Sequence, residues 1–246
     1  MLVLKIGGQE LDDPGFVERM GETIAALKTP PILVHGGGKE IRELQKRLGI
    51  EAQYIDGLRV TDAESLSIVK MVLAGRVNKR LVASLATAGV DAFGMSGVDR
   101  SAVKAEKLHH PKGDLGQVGR VVDVRIKVFT HLLEDGVTPI LSPICYGADG
   151  MMFNVNADQV ATAVAVAVKA DLLVFVSNVP GVLQDQKLLP QLTTHQVKQL
   201  IDEGVIKDGM IPKVKSALDA VEGGVHAVRI TNLTGLQNDT GTTIVR

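Results

Sequence analysis

The sequence predicts an α/β fold with a largely parallel central sheet. Short apolar runs at residues 2–6 and 31–34 are typical of buried strands, and each run is followed by consecutive glycines. A helix follows each strand, because Asp13-Pro14 forms a capped helix start and residues 39–48 carry apolar side chains at helical spacing. Strands and helices that alternate in this way favour parallel strands joined by helical crossovers.

The same alternation continues to the C-terminus. A long helix is predicted from Thr61 to Ala88, because Thr61-Asp-Ala-Glu64 has the form of a capping box. Residues 101–124 are interrupted by glycines and a proline, which predicts a hairpin excursion from the main fold. The other predicted helices cover residues 126–134, 160–168, 196–203 and 213–221, and the other predicted strands cover residues 90–95, 137–142, 171–176, 225–230 and 243–245.

The composition excludes several classes of protein. A formal charge of −1 over 246 residues gives no general attraction to nucleic acid, and an aromatic content of 3% argues against stacking platforms for single strands. No apolar run reaches the roughly 18 residues of a membrane span. The single cysteine, Cys145, excludes an internal disulfide, and the first strand begins at Leu2 without a leader. We therefore expect a cytoplasmic protein without nucleic-acid or membrane partners.

Two glycine-rich strand ends are the strongest local signals. Gly36-Gly37-Gly38 joins a strand to a helix, where free N–H groups favour an anion, although a plain turn is the alternative. It is not a Walker A loop, because Glu40 stands where a hydroxyl should bind magnesium. It is not Gly-x-Gly-x-x-Gly either, which disfavours a dinucleotide-dependent dehydrogenase. Lys5 before Gly7-Gly8 either faces the same ligand, or lies on an edge strand or extends its amine to solvent along the apolar surface.

Other polar groups interrupt apolar elements. Arg59 lies at a loop-to-helix junction, where a guanidinium is either solvated or grips a carboxylate through two donors. Asn154, Asn156 and Asp158 precede a buried helix, and one capping asparagine does not account for all three. The basic and imidazole groups of the hairpin are expected to be solvated rather than to bind metal, because no acidic or cysteine partner has ligand spacing; they are Lys107, His109 and His110.

Taken in order, these stretches resemble the amino acid kinase family, and within it the branch that phosphorylates N-acetyl-L-glutamate. The matching stretches are Leu4-Lys-Ile-Gly-Gly8, Val34-His-Gly-Gly-Gly-Lys-Glu40, Asp56-Gly-Leu-Arg-Val-Thr-Asp62, Gly75-Arg-Val-Asn-Lys79, Asn154-Val-Asn-Ala-Asp158, Ser177-Asn-Val-Pro-Gly181 and Asp208-Gly-Met-Ile-Pro-Lys213. The resemblance implies a three-layer αβα sandwich around a central, mainly parallel sheet. It also implies an N-terminal lobe, residues 1–170, for the acetylated amino acid and homodimer formation, and a C-terminal lobe, residues 171–246, for ATP.

The resemblance implies roles for individual residues. N-acetyl-L-glutamate would be held by Gly37, Gly38, Arg59 and Asn154. Catalysis would rest on Lys5 and Lys213 at the transferring phosphoryl group, on Asp158 orienting both lysines, and on the N–H groups of Gly8 and Gly38. The ATP site would include Lys5, Gly7, Gly8, Ser177, Asn178 and Lys213, with Mg²⁺ carried by ATP and no metal ligand from the protein. Many relatives have an acidic residue in place of Asn178, and the segment after Ile230 is shorter here than usual.

The implied reaction is ATP-dependent phosphorylation of the side-chain carboxylate of N-acetyl-L-glutamate in arginine biosynthesis. It needs charge neutralisation and alignment rather than a nucleophilic side chain, which agrees with the lack of an apparent Ser/His/Asp or Cys/His set. One alternative is a kinase for carrier-protein-linked α-aminoadipate in lysine biosynthesis, which the Gly57-Leu-Arg-Val-Thr61 stretch disfavours. The other is a non-catalytic sensor of the same fold, which we expect to have lost Lys5, Asp158 or Lys213.

Overall fold

The computed structural model describes residues 1–8, 10–207 and 209–246 as an α/β structure. Its strands are β1 (Leu2–Ile6), β2 (Ile32–His35), β3 (Tyr54–Ile55), β4 (Leu58–Arg59), β5 (Ala92–Ser96), β6 (Val103–Lys107), β7 (Gly119–Val124), β8 (Thr138–Ser142), β9 (Ile144–Tyr146), β10 (Met152–Asn154), β11 (Leu172–Val176), β12 (Leu183–Gln184), β13 (Lys187–Leu188), β14 (Gln191–Thr193), β15 (Ala227–Thr231) and β16 (Thr242–Val245). Its α-helices are α1 (Pro14–Ala25), α2 (Gly38–Arg47), α3 (Ala63–Lys70), α4 (Asn78–Thr87), α5 (Ile126–Glu134), α6 (Ala157–Ala167), α7 (Thr194–Asp202), α8 (Met210–Glu222) and α9 (Leu233–Gln237). Single 3₁₀ turns lie at Glu10–Asp12, Asp99–Ser101 and Ala148–Gly150.

One eight-stranded sheet forms the centre, in the order β14-β16-β15-β11-β1-β2-β8-β5. Neighbouring strands in it are parallel except β15 and β16, which are antiparallel. The prediction of a largely parallel sheet is therefore confirmed. β1 lies between β11 and β2, so Lys5 is not on an edge strand. Strands that precede residue 170 and strands that follow it belong to this one sheet.

Helices cover both faces of this sheet and form two apolar cores. Because side chains alternate along a strand, Val3 of β1 packs into one core and Leu4 into the other. The Leu4 core receives α1, α2, α3 and α4, and the Val3 core receives α5, α6, α7 and α8. The three-layer αβα arrangement is thus confirmed.

The long helix after Arg59 consists of α3, a π-helical segment at Met71–Val77, and α4. Its N-cap is Asp62, whose carboxylate accepts a hydrogen bond from the Ser65 N–H at 2.7 Å. The predicted capping box at Thr61 is therefore wrong by one residue. The Thr61 side chain is instead fully buried and donates to the carbonyl of Arg59 at 2.9 Å.

The predicted hairpin at residues 101–124 is confirmed as the antiparallel pair β6 and β7. It belongs to a four-stranded sheet in the order β10-β9-β6-β7. Strands β9 and β10, the β12–β13 hairpin, β14 and helix α9 were not predicted from the sequence. In the segment after Ile230, α9 is capped by Asn232, whose side chain accepts from the Gly235 N–H at 2.8 Å.

Candidate active site

The candidate site lies at the edge of the large sheet where the central parallel strands end. Gly7 and Gly8 follow β1, Gly36 to Gly38 follow β2, and Ser177 follows β11. These three strands are neighbours, so their loops are brought side by side. Open α/β sheets bind ligands outside the carboxyl ends of their strands.

The two glycine loops are in direct contact. A Cβ atom on Gly8 would lie 2.7 Å from the Gly37 nitrogen and 3.0 Å from the Gly38 nitrogen. A Cβ atom on Gly36 would lie 3.2 Å from the Gly8 nitrogen. Within the described residues, neither the Gly37 nor the Gly38 N–H donates to another protein group. The site therefore offers uncommitted backbone donors where two loops meet, which is an arrangement suited to anionic oxygens.

A cleft of about 250 Å³ opens beside the Gly36–Gly38 loop. All four residues predicted to hold the acetylated amino acid line it: Gly37, Gly38, Arg59 and Asn154. Arg42 and Tyr54 also line the cleft and were not predicted. The structure thus brings together residues that are far apart in the sequence.

Arg59 is buried and held by the protein, so it is not a solvated guanidinium. It donates to the side-chain oxygen of Gln45 and, at 3.2 Å, to the carbonyl of Gly38. Its guanidinium carbon lies 4.9 Å from the centre of the Tyr54 ring. Burial lowers the pKa of Arg59, Tyr54 opposes this, and the positive charge of Arg42 lowers it further. A guanidinium still remains charged at neutral pH, so Arg59 is a fixed cation in the cleft wall.

Asn154 is connected to Arg59 through Thr61. The Asn154 side-chain amide donates to the Thr61 hydroxyl at 3.1 Å, and that hydroxyl donates to the Arg59 carbonyl at 2.9 Å. The Asn154 backbone N–H donates to the carbonyl of Gln117 at 2.9 Å. The chain therefore fixes the carboxamide and the guanidinium relative to each other through hydrogen bonds.

The polar cluster before α6 divides into three separate roles. Asn156 is the helix cap, because its side-chain oxygen accepts from the N–H groups of Asp158 at 2.8 Å and Gln159 at 3.3 Å. Asn154 lines the cleft. Asp158 lies in the first turn of α6 and forms an ion pair with Lys5, with 2.7 Å between Oδ1 and Nζ. Both side chains are largely buried, at 10% exposure for Lys5 and 14% for Asp158.

Lys213 lies in the first turn of α8, and its amine donates to the carbonyl of Gly209 at 3.3 Å. Among the described residues, Asp158 pairs with Lys5 and not with Lys213. Asp208, which opens the stretch that contains Lys213, lies outside the described residues. The geometry therefore joins one of the two lysines to Asp158.

Ser177 and Asn178 differ in their surroundings. The Ser177 backbone N–H donates to the carbonyl of Thr231 at 2.8 Å, which fixes the end of β11. Its buried hydroxyl has no hydrogen-bond partner in the described part of the chain. Asn178 is exposed. An unsatisfied buried hydroxyl costs stability unless a ligand or water pairs with it, so Ser177 fits a ligand-binding position.

An ion cluster supports the back of the Gly36–Gly38 loop. Glu40, in the first turn of α2, is only 3% exposed. Its carboxylate pairs with Arg76 at 2.9 Å and with Arg80 at 2.6 Å. Arg80 also donates to the carbonyl of Leu11 at 3.0 Å. These contacts tie the start of α2 to the long helix and to the segment after Gly8.

The hairpin loop between β6 and β7 is less solvated than predicted. Lys107 pairs with Asp114 at 2.9 Å, and His110, which is only 15% exposed, lies 3.5 Å from Asp56. Lys112 donates to Asp56 at 2.7 Å and holds the pKa of that carboxyl below its usual value. The solvated-loop prediction is thus wrong for His110, because the loop docks on the Asp56 turn. The described residues contain no group of three or more His, Cys, Asp or Glu side chains arranged for a metal ion.

Several residues that shape the cleft were missed from the sequence. Gln45 had a usable signal, since it follows Ile41 by four residues and so shares the apolar face of α2. It is only 1% exposed and orients Arg59. Arg42 and Tyr54 had no such signal, because charged and aromatic residues on a helix or short strand are common at the surface.

Comparison with known proteins now places the chain in a family. The sequence profile of the amino acid kinase family matches residues 1–232. The chain belongs to the amino acid kinase family. It is 52% identical to the acetylglutamate kinase of Roseiflexus castenholzii, over 96% of this chain and 90% of that protein. It is 43% identical to the acetylglutamate kinase of Methanopyrus kandleri, over 99% of this chain and 100% of that protein.

Solved structures with a similar fold agree with this placement. The protein smu.665 of Streptococcus mutans UA159 matches with a TM-score of 0.83 at 36% identity, over 99% of this chain and 98% of that chain. The N-acetylglutamate synthase of Neisseria gonorrhoeae, complexed with coenzyme A and N-acetyl-glutamate, matches with a TM-score of 0.86 at 26% identity. That match covers 100% of this chain and 59% of the synthase. The predicted family and fold are confirmed. In the described residues, no helix has both the length and the apolar character to cross a membrane.

Proposed function

We propose that this amino acid kinase transfers the γ-phosphoryl group of ATP to the side-chain carboxylate of N-acetyl-L-glutamate, in arginine biosynthesis. One carboxylate oxygen forms the new bond to phosphorus, the bond to the bridging oxygen breaks, and ADP leaves with that electron pair. The product is N-acetyl-L-glutamyl 5-phosphate. The observation that carries the proposal is the cleft itself, which is lined by Arg59, Asn154, Gly37 and Gly38, and in which the N–H groups of the two glycines donate to no described residue. Acetylglutamate kinases at up to 52% identity over nearly the full chain support it.

The cleft suits a small acid with two carboxylates. The Arg59 guanidinium and the Asn154 amide would hold the α-carboxylate and the acetyl amide, since both groups are fixed in the wall by Gln45 and Thr61. Arg42 adds a second positive charge to the same wall. The side-chain carboxylate would then reach the glycine loops, where the transfer takes place.

Lys5 is the best-placed cation for the transferring phosphoryl group. It belongs to the central strand β1, directly before Gly7 and Gly8, and Asp158 fixes its amine at 2.7 Å. In phosphoryl transfer, preplaced cations and N–H donors stabilise the charge that spreads over the equatorial oxygens. Lys213 would join Lys5 there when its contact with Gly209 is exchanged for one with phosphate.

The nucleotide would lie across the ends of β1 and β11. Gly7 and Gly8 follow β1, and Ser177, whose hydroxyl has no partner among the described residues, follows β11 together with the exposed Asn178. Mg²⁺ would arrive with ATP and neutralise its phosphate charge, since Asp158 is already committed to Lys5. In this assignment residues 171–246 form the ATP lobe and residues 1–170 the lobe for the acetylated amino acid. We further propose that the enzyme is a cytoplasmic homodimer that associates through its N-terminal lobe.

The proposal is tested by measuring ADP release with ATP and Mg²⁺ against a substrate panel. The panel contains N-acetylglutamate, glutamate, aspartate, carbamate and uridylate. We expect strong turnover with N-acetylglutamate alone, because the other substrates lack either the acetyl amide or the spacing between two carboxylates. Turnover of uridylate or free aspartate, with none of N-acetylglutamate, would refute the assignment. Sedimentation of the purified protein at several concentrations tests the dimer separately.

A further inference from the structure

The Gly36–Gly38 loop is attached to the protein interior by two fully buried polar side chains. His35 ends β2 directly before the loop, and its Nδ1 lies 2.9 Å from the Gly36 carbonyl oxygen. A carbonyl only accepts hydrogen bonds, so Nδ1 carries the proton. The other ring nitrogen, Nε2, lies 3.2 Å from the side-chain nitrogen of Asn78, which is a donor. These partners define one neutral tautomer of His35, and burial lowers the pKa of the ring to about 4.

The orientation of Asn78 is fixed independently of His35. Its amide nitrogen donates to the carbonyl of Ile140 at 2.9 Å and lies farther, at 3.4 Å, from the carbonyl of Met95. Its oxygen accepts from the Lys79 amine at 3.2 Å. A Cβ atom on Gly94 would lie 2.2 Å from that oxygen, so the glycine at position 94 leaves the space that the Asn78 side chain occupies. Asn78 is therefore a rigid support for the His35 ring rather than a group that follows it.

The contact with Gly36 has a direct consequence for Gly37. A peptide unit is planar, and its C=O and N–H groups point in opposite directions. Holding the Gly36 carbonyl therefore fixes the direction of the Gly37 N–H, which belongs to the same peptide. Glycines on both sides would otherwise let this peptide rotate at little cost. The Gly37 N–H is one of the donors without a partner among the described residues, and Gly37 lines the cleft.

We propose that His35 and Asn78 are positioning residues that lock the Gly36–Gly37 peptide and so aim the Gly37 N–H at the substrate. Neither side chain lines the cleft, so the pair acts through the loop. The effect on rate rests on the proposed function, whereas the tautomer and the lock do not.

The first test compares two substitutions that separate hydrogen bonding from packing. His35→Asn places an amide nitrogen where Nδ1 stands and retains the donor to Gly36, whereas His35→Leu fills the space better but has no donor. We expect His35→Leu to lower kcat/KM for N-acetylglutamate about 10- to 100-fold, the scale of one misdirected hydrogen bond to a charged group. His35→Asn should recover most of that loss, and the KM for ATP should change less than about twofold in both variants.

The control is Thr138→Val. This residue begins β8, and its buried hydroxyl has no partner among the described residues. It should leave kcat/KM unchanged. The lock is overturned if His35→Leu is as active as the wild type, if His35→Asn is no better than His35→Leu, or if Thr138→Val loses as much activity as His35→Leu.

The second test needs no variant to be active. Nitrogen-15 NMR of the wild-type histidines should show one ring with a protonated Nδ1 and an unprotonated Nε2 that stays neutral at pH 6, assigned by its loss in His35→Asn. A His35 ring that is protonated on Nε2, or charged at that pH, would overturn the lock. A wild-type protein that does not phosphorylate N-acetylglutamate would refute the proposed function alone, because the NMR result still decides the tautomer.

Discussion

Gly8→Ala is the substitution that most directly probes the contact between the two glycine loops. The new Cβ atom would lie 2.7 Å from the Gly37 nitrogen, 2.9 Å from the Gly37 Cα and 3.0 Å from the Gly38 nitrogen. Ordinary contact begins near 3.4 Å, so the Cβ atom would overlap the Gly37 nitrogen by about 0.7 Å. All three neighbours are backbone atoms, which cannot rotate away as a side chain does. The loops must therefore separate.

Overpacking of this kind costs about 1–3 kcal/mol. If the cost is met by moving the donors of Gly37 and Gly38 away from the reacting oxygens, kcat/KM for N-acetylglutamate falls roughly 5- to 150-fold, since each 1.4 kcal/mol is a factor of ten. The assay is ADP release, with the thermal unfolding midpoint measured in parallel. The matched control is Gly75→Ala, because a Cβ there meets nothing within 4 Å. Full activity in Gly8→Ala, or an equal loss in Gly75→Ala, would refute the reasoning.

Three further perturbations follow from the site. Arg59→Lys should raise the KM for N-acetylglutamate at least about tenfold and spare the KM for ATP, because lysine keeps the charge but loses the planar fork; equal changes in both constants would contradict this. Lys5→Ala should lower kcat roughly 10²- to 10³-fold with smaller effects on KM. In the double variant with Lys213→Ala, kcat should fall by less than the product of the two single-variant losses. Steady-state kinetics in which the double-variant loss equals that product would show that the two amines act on separate charges. Because the pKa of His35 falls from 6.5 to about 4 on burial, protonation favours the unfolded chain below pH 6.5, so His35 alone should lower the free energy of unfolding by about 3 kcal/mol between pH 6.5 and pH 4. Urea titrations across that range should show the drop in the wild type and a smaller one in His35→Asn.

Much of the fold was predictable because strand and helix periods repeat along the chain. The central strands and main helices were placed within a few residues, since their apolar patterns match one buried face each. The elements that were missed are β9, β10, β12 to β14 and α9, which have two to five residues each. Such short elements carry too few side chains for a period to be visible, and they form through contacts with distant parts of the chain.

The candidate site was predictable in its glycine loops and charges but not in its hydrogen bonds. The contact between Gly8 and Gly37 follows from neighbouring strands, which alternating strands and helices favour. The exchange of Thr61 for Asp62 as helix cap did not follow, because both residues are good caps. The Thr61 hydroxyl does not cap the helix and instead accepts a hydrogen bond from Asn154, which is distant in sequence and approaches only in the folded chain. The pairing of Asp158 with Lys5 rather than Lys213 is equally a matter of tertiary geometry.

The position of β1 in the sheet has a consequence for folding during synthesis on the ribosome. β1 is synthesised long before β11, one of its two partners, so the side of β1 that pairs with β11 stays open until residues 172–176 have been made. Until then the nascent chain presents an apolar strand with an open edge, which invites pairing with other chains. Closing the sheet joins segments about 170 residues apart, as the contact between Met1 and Asp171 also does. Such distant contacts slow folding, so we expect the last third of the chain to complete the sheet in one late step rather than to fold as an independent module.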